Sequence, residues 1–435
     1  MKKRTLFEGN QIADAITYRD DSARFALPGT SRAGQRIMWP IGDEMLSRHM
    51  LLMGGIGTGK SNTFYQIIKQ LRASMNANDV MVIFDTKGDY HQQFYRPGDI
   101  VISNDNRACG PSGKDYWNIF NEVMIDERLE ENVLEICKTL FSEKLEKTTQ
   151  PFFPNAAKDL LYALIIYLCR EKRFQSKCNN RSLKDYLDSF DPQLMYDILK
   201  NGGHSDLQAM RFYIQDPSSP QTQGVVSELQ QAVREVFMGN FAQKGTLSMR
   251  DIIRRKGGQV VFVEYDLGIG AMLTPIYRLL FDLAIKQALC RTSNEGNVFF
   301  LIDEFRLMPL LQHIDDGVNF GRSLGAKFIL GVQNVEQVEH AYGRELARGI
   351  LSGFATTVCF RMNDGGSRNY FRDLLGKNVS QFTFMSSVQN RGVVEQIREA
   401  NVAEDWDITG LGLGEAIVNY AEHMPFRMKF DRFKG

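Results

Sequence analysis

The chain has no surplus of either charge: its 435 residues carry 52 Lys+Arg and 52 Asp+Glu. Overall charge therefore announces no polyanion partner, and any nucleic-acid contact has to be local, for example on loops lining a channel. Cysteine is scarce. Its six positions (Cys109, Cys137, Cys169, Cys178, Cys290 and Cys359) include no Cys-x-x-Cys pair, which argues against a zinc or disulfide framework and for thiols in a reducing compartment. The most continuous apolar run, Leu160–Cys169, is far too short to span a bilayer. No apolar stretch follows Met1-Lys-Lys-Arg, so no signal peptide is read. Internal repeats and low-complexity segments are missing as well. Together these absences predict a cytoplasmic chain, or one held at a membrane by something else. Its length allows two or three domains with substantial cores.

What is present centres on Met50-Leu-Leu-Met-Gly-Gly-Ile-Gly-Thr-Gly-Lys-Ser61. The spacing Gly54-x-x-x-x-Gly59-Lys60-Ser61 is that of a phosphate-binding P-loop. A loop that wraps a polyphosphate must aim successive main-chain N–H groups inward, and glycine takes the required positive φ values without strain. Gly54, Gly55, Ile56, Gly57, Thr58, Gly59, Lys60, Ser61 and Asn62 are therefore expected to cradle the phosphates of a nucleotide, ATP. Lys60 would reach the β- and γ-phosphates, and the Ser61 hydroxyl would hold Mg2+. The context agrees: His49–Met53 is apolar and of strand length, and Asn62–Met75 carries Phe64, Ile67, Ile68 and Leu71 at helical spacing. The phosphates would then sit at a helix N-terminus, where N–H groups and dipole favour an anion.

Around this stretch the chain reads as alternating strands and helices. Residues 1–40 mix charge, Gly and Pro without clear periodicity and read as a poorly regular N-terminal lead segment or partner-binding arm. A second strand, Val80–Phe84, ends in Asp85-Thr-Lys87-Gly88-Asp89, and a third, Asp99–Ser103, follows a Pro-Gly turn. From this segment alone, an ordinary strand-to-loop turn is the favoured reading of Asp85–Asp89. Between about Ile125 and Asn240 the pattern becomes helical: Glu131–Leu140, Ala156–Arg170, Leu183–Phe190, Pro192–Leu199 and Gly224–Phe237 are amphipathic. The predicted organisation is thus a P-loop nucleotide-binding domain (41–124 and 241–435) interrupted by an inserted all-α domain (125–240). The basic tract Arg250–Lys256 reads as a charged C-terminal helical turn in preference to a DNA contact.

The strand pattern resumes at Gln259–Glu264, followed by a helix over Pro275–Cys290. Asn297-Val-Phe-Phe-Leu-Ile-Asp303-Glu304 then has the look of a strand buried on both faces with acids at its tip. This is the Walker B arrangement, in which Asp303 would bind the Mg2+ held by Ser61 and Glu304 would orient or deprotonate the attacking water. A helix over Asp315–Leu324 and a strand over Ala326–Val332 lead to Gln333, which could contact the γ-phosphate or the water. Thr356–Phe360 is a further strand ending in Arg361, and Glu415–Tyr420 with Pro425–Phe430 reads as a hairpin.

With these residues in view, the chain from about residue 40 onward resembles the conjugative coupling proteins of type IV secretion systems, within the larger class of ring-forming P-loop DNA translocases. The likeness rests on the Walker pair, Asp85-x-Lys87-Gly88-Asp89 and the helical insertion. It rests also on Asn319-Phe-Gly-Arg322-Ser-x-Gly325, Gly331-Val-Gln333-Asn334, Glu336-Gln337 to Tyr342-Gly343, and Tyr370-Phe-Arg-Asp-Leu-Leu-Gly376. The resemblance implies a RecA-like α/β P-loop NTPase fold with a central, mostly parallel sheet plus an inserted all-α domain. It implies Gln333 as a sensor of the third motif and Arg322 as an arginine finger serving the neighbouring subunit of a homo-hexamer. Implied partners are DNA, a relaxase or accessory DNA-processing protein, and type IV secretion channel components. Such proteins are usually anchored by N-terminal transmembrane helices, of which this sequence shows none. A piece beginning after its anchor, a naturally anchorless member, and a soluble relative in plasmid maintenance, DNA repair or anti-phage defence all remain open. In each case membrane contact comes only through a missing anchor or a partner.

The leading expectation is an ATPase that pumps DNA. A binding platform whose helical part recruits proteins under ATP control is a second class. Having both Lys60 and Glu304 favours turnover over that scaffold. A small-molecule kinase is a third, disfavoured by the insertion and the finger.

Overall fold

In the computed structural model the described residues are 3–104, 115–290, 296–308, 310–385 and 393–435, so Met1, Lys2 and Cys109 lie outside them. The described residues form strands β1 (Lys3–Glu8), β2 (Phe25–Thr30), β3 (Arg36–Ile41), β4 (Met50–Met53), β5 (Val80–Asp85), β6 (Ile100–Ile102) and β7 (Val260–Glu264). They continue with β8 (Val298–Ile302), β9 (Ala326–Val332), β10 (Thr356–Phe360), β11 (Lys377–Met385), β12 (Val393–Asn401), β13 (Glu415–Tyr420) and β14 (Phe426–Phe430). The chain divides into two compact units, one of Met1–Asn76, Glu295–Pro309 and Asp315–Gly435, the other of Ala77–Asn294 and Leu310–Ile314.

In the first unit the larger set of strands runs β3-β2-β14-β13-β10-β4-β9-β8. Its centre is parallel: β4 lies between β10 and β9, and β9 pairs with β8. Every residue of β4, β8, β9 and β10 is buried, as strands covered on both faces require. Beyond β10 the neighbours β13, β14, β2 and β3 pair antiparallel. The helix Lys60–Ser74 follows β4 and buries Phe64, Ile67, Ile68 and Leu71, the apolar face its 3.6-residue spacing foretells. A smaller antiparallel sheet joins β1, β11 and β12.

The lead segment departs from expectation, because residues 1–40 hold β1, β2 and nearly all of β3. Their partners explain the missed signal. β1 pairs with β11, far away in sequence, while β2 pairs with its neighbour β3 and at one end with distant β14, and Pro28, Gly29 and Pro40 interrupt the strand-like composition. The hairpin β11–β12 also escapes a periodicity reading, its exposed positions being filled by Lys377, Glu395, Arg398 and Glu399.

In the second unit β5, β7 and β6 lie side by side in parallel. From Leu129 to Val236 every described element is helical. Three of those helices begin with side-chain caps at Asn179, Asp191 and Ser219, the latter two followed by Pro at the first helical position, where its missing N–H costs nothing. The helix Phe152–Arg170 is, among the described residues, the one long and apolar enough to cross a membrane by length and composition. Its Leu160, Leu161, Leu164 and Ile165 are buried within the protein, each such burial contributing about 1.5–3 kcal/mol. The basic tract is indeed helical, spanning Met249–Arg255, with Arg250 buried on Asp126 (2.8 Å) and exposed Arg255 paired with Asp251 (2.9 Å). Among the described residues Cys137, Cys169, Cys178 and Cys359 are free thiols.

Candidate nucleotide site

Four adjacent strand tips build the site. Ile302 is in register with Leu330, and Met53 with both Val332 and Cys359. The residues just beyond, Asp303, Gln333, Gly54 and Arg361, therefore share the carboxyl edge, where α/β sheets place their ligands. The Gly54 N–H donates to the Val332 carbonyl (3.1 Å) and the Gly55 N–H to the Arg361 carbonyl (2.9 Å), which ties the start of the loop to both neighbours of β4. Gly331 is obligatory here, since a Cβ would lie 2.0 Å from the Asp303 carbonyl oxygen.

Within the loop Gly57 and Gly59 take positive φ, 70° and 125°. A side chain at Gly59 would also meet Gly414 Cα at 2.9 Å. The Thr58 hydroxyl closes the turn by donating to the Gly55 carbonyl (2.8 Å), and Ile56 forms the exposed crown. The helix starts at Lys60, so the N–H groups of Lys60, Ser61 and Asn62 have no partner inside the helix and point toward its N-terminal end.

The Lys60 ammonium is buried across the base of the loop, donating to the carbonyls of Gly54 (2.5 Å) and Gly55 (3.1 Å). Burial lowers its pKa, while Asp303 and Glu304 pull it back up. The Ser61 hydroxyl donates to Asp303 Oδ2 at 2.7 Å. Glu304 accepts from the Gln333 side-chain amide (2.5 Å) on one oxygen and from Arg306 Nε (2.9 Å) on the other. The structure thus brings together Lys60, Ser61, Asp303, Glu304 and Gln333. Among the described residues no group of three or more His, Cys, Asp or Glu is arranged to hold a metal. The Ser61–Asp303 pair instead offers two hard oxygens, a set suited to Mg2+ sharing its remaining positions with phosphate and water.

Arg322 is placed elsewhere. It is exposed in the short turn Gly321–Leu324 ahead of β9, and its charge acts on His49 and Glu422. His49 immediately precedes β4, so Arg322 stands at the amino edge of these strands while the P-loop stands at the carboxyl edge. The side chain of Asn62 also turns away from the loop: its amide donates to the Asp431 carbonyl (2.8 Å) and accepts from the Phe433 N–H (2.7 Å). Two supports of the loop went unread in the sequence, this 431–433 segment and Gly414, whose N–H donates to the Thr58 carbonyl (2.9 Å). The glycines Gly410, Gly412 and Gly414 just before β13 were the available signal for the second.

In the other unit, Asp85 at the tip of β5 is buried and accepts the His91 N–H (2.8 Å), organising the turn through Gly88 (φ 74°) into the helix Asp89–Phe94. Burial raises its pKa. His91 Nδ1 in turn contacts Glu264 Oε1 at 2.8 Å. This is the strand-to-loop turn that the segment suggested.

The fold is RecA-like α/β of the P-loop kind with an all-α part, and solved structures share it. The chain superposes on the bacterial conjugative coupling protein TrwBdeltaN70 in its unbound monoclinic form (TM-score 0.70, 16% identity), covering 99% of this chain and 94% of that one. TrwB in complex with the non-hydrolysable ATP analogue ADPNP gives a TM-score of 0.69 at 17% identity, over 99% and 95% of the two chains. VirB4 of Thermoanaerobacter pseudethanolicus follows at 0.59 and 12%, over 96% and 98%. No curated protein matches. The strand tips, the P-loop and the acids of β8 thus belong to a recognisable whole: residues 36–398 match the family model of the type IV secretion-system coupling protein DNA-binding domain, and the chain belongs to that family.

Proposed function

We propose that the chain is an ATP-driven motor that passes DNA, with a relaxase attached, toward the channel of a type IV secretion system. One observation carries the reading: the 2.7 Å contact of Ser61 with Asp303, set beside buried Lys60 and the Glu304–Gln333 pair. A binding scaffold needs the loop but has no use for a carboxylate held ready for water. Ser61 and Asp303 would hold Mg2+, whose chemistry is to neutralise charge on the β- and γ-phosphate oxygens. Lys60 supplies a fixed positive charge at the base of the loop, and the N–H groups of Lys60, Ser61 and Asn62 bind phosphate oxygens. Glu304, oriented by Gln333 and Arg306, takes the proton of the attacking water. Because Gln333 ends β9, a change at Glu304 is passed to that strand, which suits a sensor.

Family membership supports DNA as the substrate, and the likeness to TrwB and VirB4 supports the ATPase fold. The helical stretch 125–240, inserted into the nucleotide-binding domain (41–124 and 241–435), receives the relaxase or an accessory protein. The chain works as a homo-hexameric ring at the inner face of the cell membrane, reached through an anchor or a partner. The exposed position of Arg322 at the edge opposite its own P-loop supports head-to-tail packing, in which a neighbour's nucleotide meets that edge. The test is ATP hydrolysis with and without DNA. A motor accelerates when DNA is added; steady hydrolysis indifferent to both single- and double-stranded DNA would remove the reading.

A further inference from the structure

The open end of the β13–β14 hairpin holds the P-loop from two sides. On one side Gly414 bonds to Thr58 and leaves no room for a side chain at Gly59. On the other, Asp431 and Phe433 hold both ends of the Asn62 amide, and the Gln66 amide also donates to the Asp431 carbonyl. The two arms are joined, because the Phe430 N–H donates to the Gly414 carbonyl (2.8 Å). A displacement of segment 431–434 therefore reaches the first turn of the P-loop helix through Asn62.

Against this segment lies a groove of about 520 Å3, bounded by the P-loop helix and by β2 and β3. Its floor is apolar, with Pro28 and half-exposed Met38. Its single carboxylate, Asp431, is taken by Arg36 at 2.6 Å. Among the described residues the other cations of the groove, Lys69, Arg432 and Lys434, are exposed and make no ion pair. Lys69 lies over the Phe433 ring (5.3 Å), which also stacks on Tyr65 (5.1 Å, 25°). The cations are thus attached to the same segment that holds Asn62.

We infer that this groove binds the phosphate backbone of a nucleic-acid strand and that its occupancy is transmitted to the P-loop through Asn62. Unneutralised cations around an apolar floor match a chain of repeating phosphates joined by sugars, and contacts to phosphate position a strand without reading its sequence. Acidic lipid headgroups carry the same phosphate chemistry. A bilayer surface, however, meets flat faces with protruding apolar anchors, whereas here the cations rim a concavity. The inference rests on the motor reading and names a DNA contact for it.

The test uses the full chain with Arg432→Gln and Lys434→Gln combined. Neither side chain touches the nucleotide site, so hydrolysis without DNA stays at the wild-type rate. Binding of a labelled single-stranded oligonucleotide is followed against salt. Losing two phosphate contacts lowers the slope of log affinity on log salt by roughly 1.4, at about 0.7 per contact for a single strand. DNA stimulation at fixed oligonucleotide concentration falls with it. A second variant, Asn62→Ala, keeps the wild-type slope and loses the stimulation, which separates binding from transmission. An unchanged slope in the double variant, with DNA still accelerating the wild type, overturns the groove and leaves the motor reading standing. A wild type that ignores DNA overturns both. Loss of binding to phosphatidylglycerol vesicles with an unchanged DNA slope would assign the groove to a membrane and overturn the inference likewise.

Discussion

The two ends of β4 are built on opposite principles. At the carboxyl end, charge is gathered inward: Lys60 is buried on loop carbonyls, Ser61 bonds to Asp303, and Glu304 is held by Gln333 and Arg306. At the amino end Lys327 is buried on Asp43, but the buried side chain that meets β4 itself, His49, is uncharged. His49 Nδ1 accepts the Phe328 N–H (3.1 Å), so its Nε2 carries the proton and donates to the Val318 carbonyl (2.9 Å). Burial, with the nearby charges of Lys327 and Arg322, pushes the His49 pKa down to about 4. That neutral ring ties the helix leading to Arg322 onto β4, while the guanidinium itself faces solvent. One end draws its contacts inward within a single chain, and the other presents a cation outward.

If that difference is functional, it breaks in a defined order of severity. Arg322→Ala should cost about 10³–10⁵ in turnover of the assembled ring, the worth of a guanidinium supplied in trans, while nucleotide affinity persists. Mixed with Lys60→Ala subunits, which keep the finger and lose the loop's charge, Arg322→Ala subunits should regain part of the activity. Wild-type hydrolysis by Arg322→Ala, or no recovery in rings shown to be mixed, would make the amino end merely structural.

At the carboxyl end, Glu304→Gln should lower kcat by about 10²–10⁴, the usual share of a general base, with nucleotide still bound. Rapid-quench and binding measurements on the same sample check both halves. Retained turnover would strip Glu304 of its role and leave the Gln333 contact a simple strand-end bond.

The mildest effect concerns His49. Its folded pKa lies below the unfolded value, so the unfolded chain binds more protons between the two. The stability it contributes is fully present above about pH 6.5 and is lost as pH falls toward 4, amounting to about 3 kcal/mol. Denaturant unfolding of wild type and His49→Gln from pH 7 to 4 should show that slope only in the wild type. Parallel curves would mean that His49 titrates alike in both states.

What could be read beforehand follows the range of the interactions. The loop Gly54–Ser61 was legible because its shape depends on glycine φ values and on donors within a few residues. Asp303 and Glu304 were legible because a buried apolar strand points to its own tip, and Gln333 because it occupies the same place on the next strand. The Asn62 clamp was not, since its partners are the carbonyl of Asp431 and the N–H of Phe433, and main-chain groups leave no residue-specific mark. β2 was hidden for a related reason: its strand character comes from β3 and β14, against the local preference of Pro28 and Gly29.

By itself the sequence determined the glycine loop, the acids at the tip of β8 and the alternation of strand and helix around them, because each is encoded by residue type at short separation. The place of Arg322 at the edge away from Lys60 already follows from the order of helix and strand after Asp303, whereas tertiary structure alone decided that Glu304 is bound by Gln333 and that the β13–β14 hairpin braces the P-loop. Those relations depend on which strands become neighbours. Strand neighbourhood is settled by burial of the whole sheet and by main-chain hydrogen bonds, neither of which is written in any one stretch of the chain.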